Sequence, residues 1–292
     1  MREFWEALLE YPFLRHAALA GLLAGVACGV IGSYVVARRI SYIAGGIAHC
    51  VLGGMGAAHY FETVHGWRLA TPLLGALGAA LLAAVIIGVV SLRAKEREDT
   101  VIGALWAIGM AIGVLFISQT PGYNEDLMSY LFGNILMVSR GDLWLMAGLD
   151  VLVLGCGLLF YNQLLAVCFD EEFARVRGVR VELIYLLLLC LTALTVVLLV
   201  TVVGIIMVIA LLTLPAAVAG FFTRTLWQMM LLAVILSAVF ASAGLAQSYA
   251  WDIPPGATII LVAGLAYVAG GLFSHFFRLR RRSRLATVHP RP

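Results

Sequence analysis

Charge is what this chain has least of. Asp, Glu, Lys and Arg make up 12% of its 292 residues, and 63% are hydrophobic. That balance excludes a soluble domain of this size and points to a helical protein that crosses a bilayer many times. Long polar stretches are missing too, so no separate soluble domain is expected. Cysteine is sparse and odd in number: Cys28, Cys50, Cys156, Cys168 and Cys190, with no CxxC pair. A disulfide framework is therefore not expected. The chain has no GxxxxGK[ST] loop, so it lacks the usual means of binding ATP by itself. HExxH, GxSxG and the dinucleotide fingerprint are also absent, which removes the usual apparatus of proteolysis, esterase chemistry and NAD binding. No secretory signal is read at the N-terminus, where Glu3, Glu6 and Glu10 stand in place of positive charge. The apolar segments themselves are expected to direct insertion.

Those segments run over residues 17–37, 41–61, 70–92, 101–118, 143–161, 183–200, 203–222, 226–246 and 257–277. Each is near the ~20 residues that a spanning helix needs. The fold class expected is all-α and polytopic, one transmembrane domain over residues 1–292 with eight or nine spanning helices. The doubtful pair meets at Thr201–Gly204, where barely a turn separates two segments.

The basic residues set the orientation. With the tail 278–292 in the cytoplasm and nine spans, 15 of the 19 Lys and Arg fall in inside loops. The C-terminus is expected inside a cell membrane and the N-terminus outside. Spread over membrane-flanking loops, these cations form no nucleic-acid patch; lipid is the expected surround.

Two loops stand out. Residues 119–141 carry Glu125 and Asp126 and then an apolar stretch, which predicts a short helix at the outer surface. On the inner side, Phe169, Phe173 and Val176 fall at i, i+4 and i+7 among Asp170, Glu171, Glu172, Arg175 and Arg177. That spacing predicts an amphipathic cytoplasmic helix over about 169–178, ended by Gly178. It lies either on lipid headgroups or on a protein partner, and three acids at its start favour the partner.

Ionisable groups within the spans are few: His49, His59 and Asp150, with Asp142 and His275 at segment ends. His49 shares a helix face with Gly45, Gly53 and Gly56. A polar side chain there is expensive and normally faces the protein interior or a water-filled path. His49 therefore reads as a metal ligand or as an interhelical hydrogen-bond partner, and the three glycines as space beside the imidazole or as a packing face. Cys50 points about 100° away from its neighbour. Asp150 and His49 each lie roughly 12 Å from opposite ends of their segments. In a core about 30 Å thick, their depths differ by about 6 Å. If the two helices are neighbours, they share one site near the midplane; imidazole with carboxylate suits zinc or manganese.

Several stretches, in order, resemble the permease of the ABC-transporter family that imports zinc, manganese or iron(II). They are residues 38–56, with arginine, Ser41-Tyr42, His49 and a run of small residues; SYLFGN at 129–134; DEEFARVRG at 170–178; and GIIMVIALLTLPAAVA at 204–219. The resemblance covers nearly the whole chain. It implies a transport subunit rather than an enzyme, with His49 on the metal path and no permanently bound cofactor, the divalent metal being cargo, zinc first and manganese or iron next. It implies two permease copies around the path, a separate ATPase pair docked on Phe169, Asp170, Glu171, Phe173, Ala174 and Gly178, and an extracytoplasmic metal-binding protein. Many members place an aspartate four residues before the histidine, where this chain has Gly45. A second ligand must then come from elsewhere, and Asp150 is the candidate. The competing class is an ATP-independent carrier or channel for a small cation, which would also place a polar group at the midplane; no internal repeat of the kind common in carriers is detected.

Overall fold

The computed structural model describes residues 2–67, 69–93, 98–121, 133 and 135–288, with side chains described for all of these except 2, 3, 5, 98 and 277–288. The helices, in chain order, are α1 (Arg2–Glu10), α2 (Pro12–Arg38), α3 (Ser41–His65), α4 (Pro72–Arg93), α5 (Glu98–Gln119), α6 (Arg140–Leu159), α7 (Tyr161–Phe169), α8 (Glu171–Val176), α9 (Val181–Val203), α10 (Ile205–Phe222), α11 (Leu226–Trp251) and α12 (Pro255–Val288). A 3₁₀ turn occupies Ile135–Met137. No strand occurs among the described residues.

All nine expected segments form long helices. Eight of them, all but α3, are long and apolar enough to cross a membrane. α3 has the length, at 25 residues, but its five glycines, His49, His59, Glu62 and His65 dilute its apolar character. It tolerates this because α4, α5 and α9 enclose it. The pair at Thr201–Gly204, by contrast, resolves into two full helices. Gly204, at φ 82° and ψ 159°, takes a backbone conformation that an L side chain rarely adopts. Gly133 also has positive φ and packs directly on the Val203–Gly204 backbone.

α2 is the axis of the bundle. It packs against α6, α9, α10 and α11. Gly21, Gly25 and Gly29 recur every four residues, so they line one face. Carbons added at these positions would meet Ala241, Ser237 and Val234 of α11 at 3.0, 3.0 and 2.6 Å. Small residues let the two backbones approach, which is how helices associate where lipid removes the hydrophobic drive. Gly32 does the same against the α10 backbone at Leu212.

Three features differ from the sequence expectation. α1 is an additional nine-residue helix that buries Phe4 and Ala7 and exposes Glu6. The segment expected over 143–161 begins at Arg140, because Ser139 and Asp142 form a reciprocal cap: the Ser139 N–H donates to Asp142 Oδ2 at 2.9 Å and the Asp142 N–H to Ser139 Oγ at 3.2 Å. It ends at Leu159, where Phe160 breaks it from α7. The last helix continues to Val288 through much of the basic tail. The outer-surface helix expected within 119–141 falls largely on residues 122–132 and 134, outside the described residues.

Candidate functional site

α3 carries His49 and is held by close backbone approach on two sides. A carbon on Gly53 would lie 2.7 Å from the Gly109 carbonyl oxygen of α5, and one on Gly56 would lie 2.9 Å from that of Gly113. On the other side Gly54 packs on Gly75 of α4. Gly45 faces the Trp106 ring, with 3.5 Å available. The glycines that share the His49 face are therefore a packing seam, filled by α5. Gly53 and Gly56 thus serve the close approach of α5, which is the packing reading of the sequence.

His49 is 7% exposed. Its ring stacks on Trp106, with centroids 4.1 Å apart and planes inclined by 17°. Its Nδ1 has no hydrogen-bond partner. Buried polar atoms are nearly always paired, so an orphan ring nitrogen marks a position with capacity for a ligand. The adjacent Cys50 is engaged elsewhere, its thiol donating to the Leu105 carbonyl at 3.3 Å.

Asp150 is 6% exposed, on α6, and both carboxylate oxygens lack a hydrogen-bond partner. It lies against α2 at Ala27 and Cys28, and its approach to the Ala27 backbone falls short of hydrogen-bond geometry. α3 and α6 are not a packed pair. The condition for a shared His49–Asp150 site, neighbouring helices, is not met within one chain. Among the described residues, no three His, Cys, Asp or Glu side chains gather as a metal-binding group.

The helix expected over 169–178 is shorter than predicted. α8 spans Glu171–Val176, begins with Asp170 Oδ1 accepting from the Phe173 N–H at 2.9 Å, and gives way to Gly178 at φ 79°. Phe169, Phe173 and Val176 are 69%, 52% and 87% exposed, so an apolar face stands open. Ala174 is fully buried and anchors the helix. Glu171 forms an ion pair with Arg38 at the end of α2. The Arg38 guanidinium also sits 5.5 Å over the Tyr185 ring of α9, and the Tyr185 hydroxyl is 3.2 Å from Ser91 Oγ of α4. Arg38 thus joins α8 to α9, and through Tyr185 to α4, three residues before α3 begins.

Sequence reasoning missed Trp106, Gly109 and Gly113 as parts of the His49 environment. The only available signal was the G-x-x-x-G spacing of 109 and 113 in an apolar segment.

A model of the ABC 3 transport family matches residues 10–274. An uncharacterised membrane protein of Synechocystis sp. is 47% identical over 260 residues, 89% of this chain and 90% of its own length. The manganese transport system membrane protein MntC of Halalkalibacterium halodurans is 36% identical over 271 residues, 93% of this chain and 90% of its own. The structure of PsaBC from Streptococcus pneumoniae in complex with Fab superposes with a TM-score of 0.80 at 29% identity, covering 92% of this chain and 94% of that one. With a family model spanning nearly all of its helices and relatives matched over most of their length, this chain belongs to the ABC 3 transport family, as a membrane-spanning transport subunit and not an enzyme.

Proposed function

We propose that the chain is the permease of an ATP-driven importer of a divalent transition metal. The observation that carries this reading is His49, a buried imidazole in a membrane helix with one ring nitrogen unpartnered. A neutral imidazole binds manganese, iron(II) or zinc, and a site with few protein ligands releases its cargo. Zinc leads on the sequence alone. The name of the Halalkalibacterium relative supports manganese, and manganese is the metal proposed here, with zinc next. Asp150 is proposed as a second station on the path rather than a co-ligand, because a buried carboxylate without partners in a membrane helix is functional by default.

Two copies of the chain are proposed to enclose the path. A separate ATPase pair docks on the open face of Phe169, Phe173 and Val176, with Asp170 and Gly178 fixing the ends of α8 and Glu171 and Ala174 anchoring it. An extracytoplasmic metal-binding protein delivers the ion. ATP hydrolysis shifts the population between outward-open and inward-open states. The distribution of basic residues supports a cytoplasmic C-terminus in the cell membrane.

The test is radiometal uptake into vesicles holding the chain with its ATPase and binding-protein partners. ATP-dependent manganese uptake exceeding that of zinc is expected. Uptake that proceeds without ATP would assign an ATP-independent carrier, and uptake of neither metal would contradict the reading.

A further inference from the structure

Tyr42, Gly45 and His49 fall at i, i+3 and i+7 along α3, so they share one face, and Trp106 of α5 lies across all three. Its ring centroid stands 6.0 Å from that of Tyr42 and 4.1 Å from that of His49. A carbon placed on Gly45 would meet the six-membered ring of Trp106 at 3.5 Å, an ordinary contact. Alanine fits there, whereas a longer side chain has the indole against it. The indole is also pinned, because α3 and α5 press together on both sides of it. Carbons on Gly46 and Gly53 would lie 2.8 Å from the Ile102 side chain and 2.7 Å from the Gly109 carbonyl oxygen.

Gly45 is where a second ligand from α3 would stand. It lies one turn from the imidazole, the spacing at which two side chains of one helix grip one ion. A glycine alone would leave a gap for water, itself an oxygen donor. The indole covers that gap and has nothing to offer a cation's coordination shell, since its N–H only donates. Among the described residues, no carboxylate pairs with the imidazole. His49 therefore presents one nitrogen donor in a neutral aromatic wall. Magnesium and calcium are held by oxygen, and magnesium gives up its waters reluctantly. Transition metals accept imidazole nitrogen.

We propose that Trp106 determines specificity. By covering the space at Gly45 it keeps oxygen ligands from the His49 site, and so bars magnesium and calcium from a position that transition metals use. The inference rests on the reading of His49 as a metal ligand.

The test is binding of manganese(II) alone to the purified full chain in detergent, read as loss of the free ion's EPR signal, with magnesium as competitor. Magnesium in excess should not displace manganese from the wild type. Trp106→Phe keeps an aromatic wall and should keep magnesium out. Trp106→Asp puts an oxygen donor where the indole stood, and Gly45→Asp combined with Trp106→Ala puts one on α3. Each should bind manganese about tenfold tighter, because ligand charge tunes the affinity of such sites, and each should lose it to magnesium. The two variants alter different helices, and thermal unfolding shows which of them is folded. Gly78→Ala, with nothing within 4 Å, should match the wild type. Magnesium that displaces manganese from the wild type overturns the proposal. So does the absence of a magnesium response in the folded aspartate variants, or of manganese binding in all of these proteins. His49→Ala separates the two claims. Manganese binding that survives it removes the His49 reading and this inference together. Binding that is lost in His49→Ala, with aspartate variants that still ignore magnesium, removes this inference alone.

Discussion

The imidazole of His49 lies face to face with the indole of Trp106, 4.1 Å between centroids, and this contact fixes the ring that the proposed metal path uses. Stacked aromatic pairs contribute about 0.5–1.5 kcal/mol beyond the area they bury. Trp106→Phe keeps a platform and should keep most of the uptake. Trp106→Ala frees the ring and should raise the KM for metal by about two- to tenfold, with less effect on the maximal rate. Uptake kinetics at matched protein levels check both, and an unchanged KM in Trp106→Ala would show that stacking does not position His49.

The α3–α5 seam should resist any side chain. Gly53→Val places a β-carbon 2.7 Å from the Gly109 carbonyl, and overpacking of this kind costs about 1–3 kcal/mol. Gly78→Ala is the control, since nothing lies within 4 Å of that position. Thermal unfolding in detergent should show a lowered midpoint for the first variant only.

How much of this could be read beforehand follows from what a single sequence contains. Long apolar runs fix the number and approximate bounds of the nine long helices, because the bilayer sets their length, and they say nothing of short ones such as α1. Gly178 and Gly204 mark breaks that the chain makes where φ is positive. Phe160 carries no such mark; the segment was expected to end near there, at Tyr161, but the short helix α7 that follows was not foreseen. The positions of His49 and Asp150 along their own helices were legible, since they depend on rise per residue alone. Which helices are neighbours was not, and so their pairing failed. Gly45, Gly53 and Gly56 show the same limit: periodicity puts them on the His49 face, but only the fold shows that Trp106, Gly109 and Gly113 fill it. Of the segment expected to dock a partner, Phe169 and Phe173 are open, whereas Glu171 and Ala174 turn to the chain's own helices.

The open face of α8 makes its own prediction. Phe173 is half exposed, so Phe173→Asp should leave insertion intact. It places a charge where a partner's apolar groove would have to desolvate it. Co-purification of the ATPase with the variant should fall sharply, along with metal-stimulated hydrolysis. Normal values of both would reject this docking surface.

Arg38 and Glu171 tie α8 to the root of α3, and both side chains are only about a fifth exposed (23% and 21%). Contacting residues in such networks show coupling of about 0.5–3 kcal/mol. Arg38→Glu and Glu171→Arg should each depress metal-stimulated ATP hydrolysis, and the double exchange should recover part of it. Additive losses in the double variant would mean that the pair transmits nothing.

Asp150→Asn tests the second station. Asparagine preserves the size and hydrogen-bonding ability of the side chain but not its charge. Uptake should fall several-fold with no loss of protein, and wild-type uptake would remove Asp150 from the path while leaving His49 in place.

The most direct measurement is radiometal uptake by His49→Ala in vesicles with its partner proteins, at permease amounts matched to wild type. Alanine suits a small-residue seam, so the protein should insert, fold and bind its ATPase as before. ATP-driven uptake should be abolished. Full uptake by this variant would contradict the assignment of His49 to the metal path, and with it the central claim.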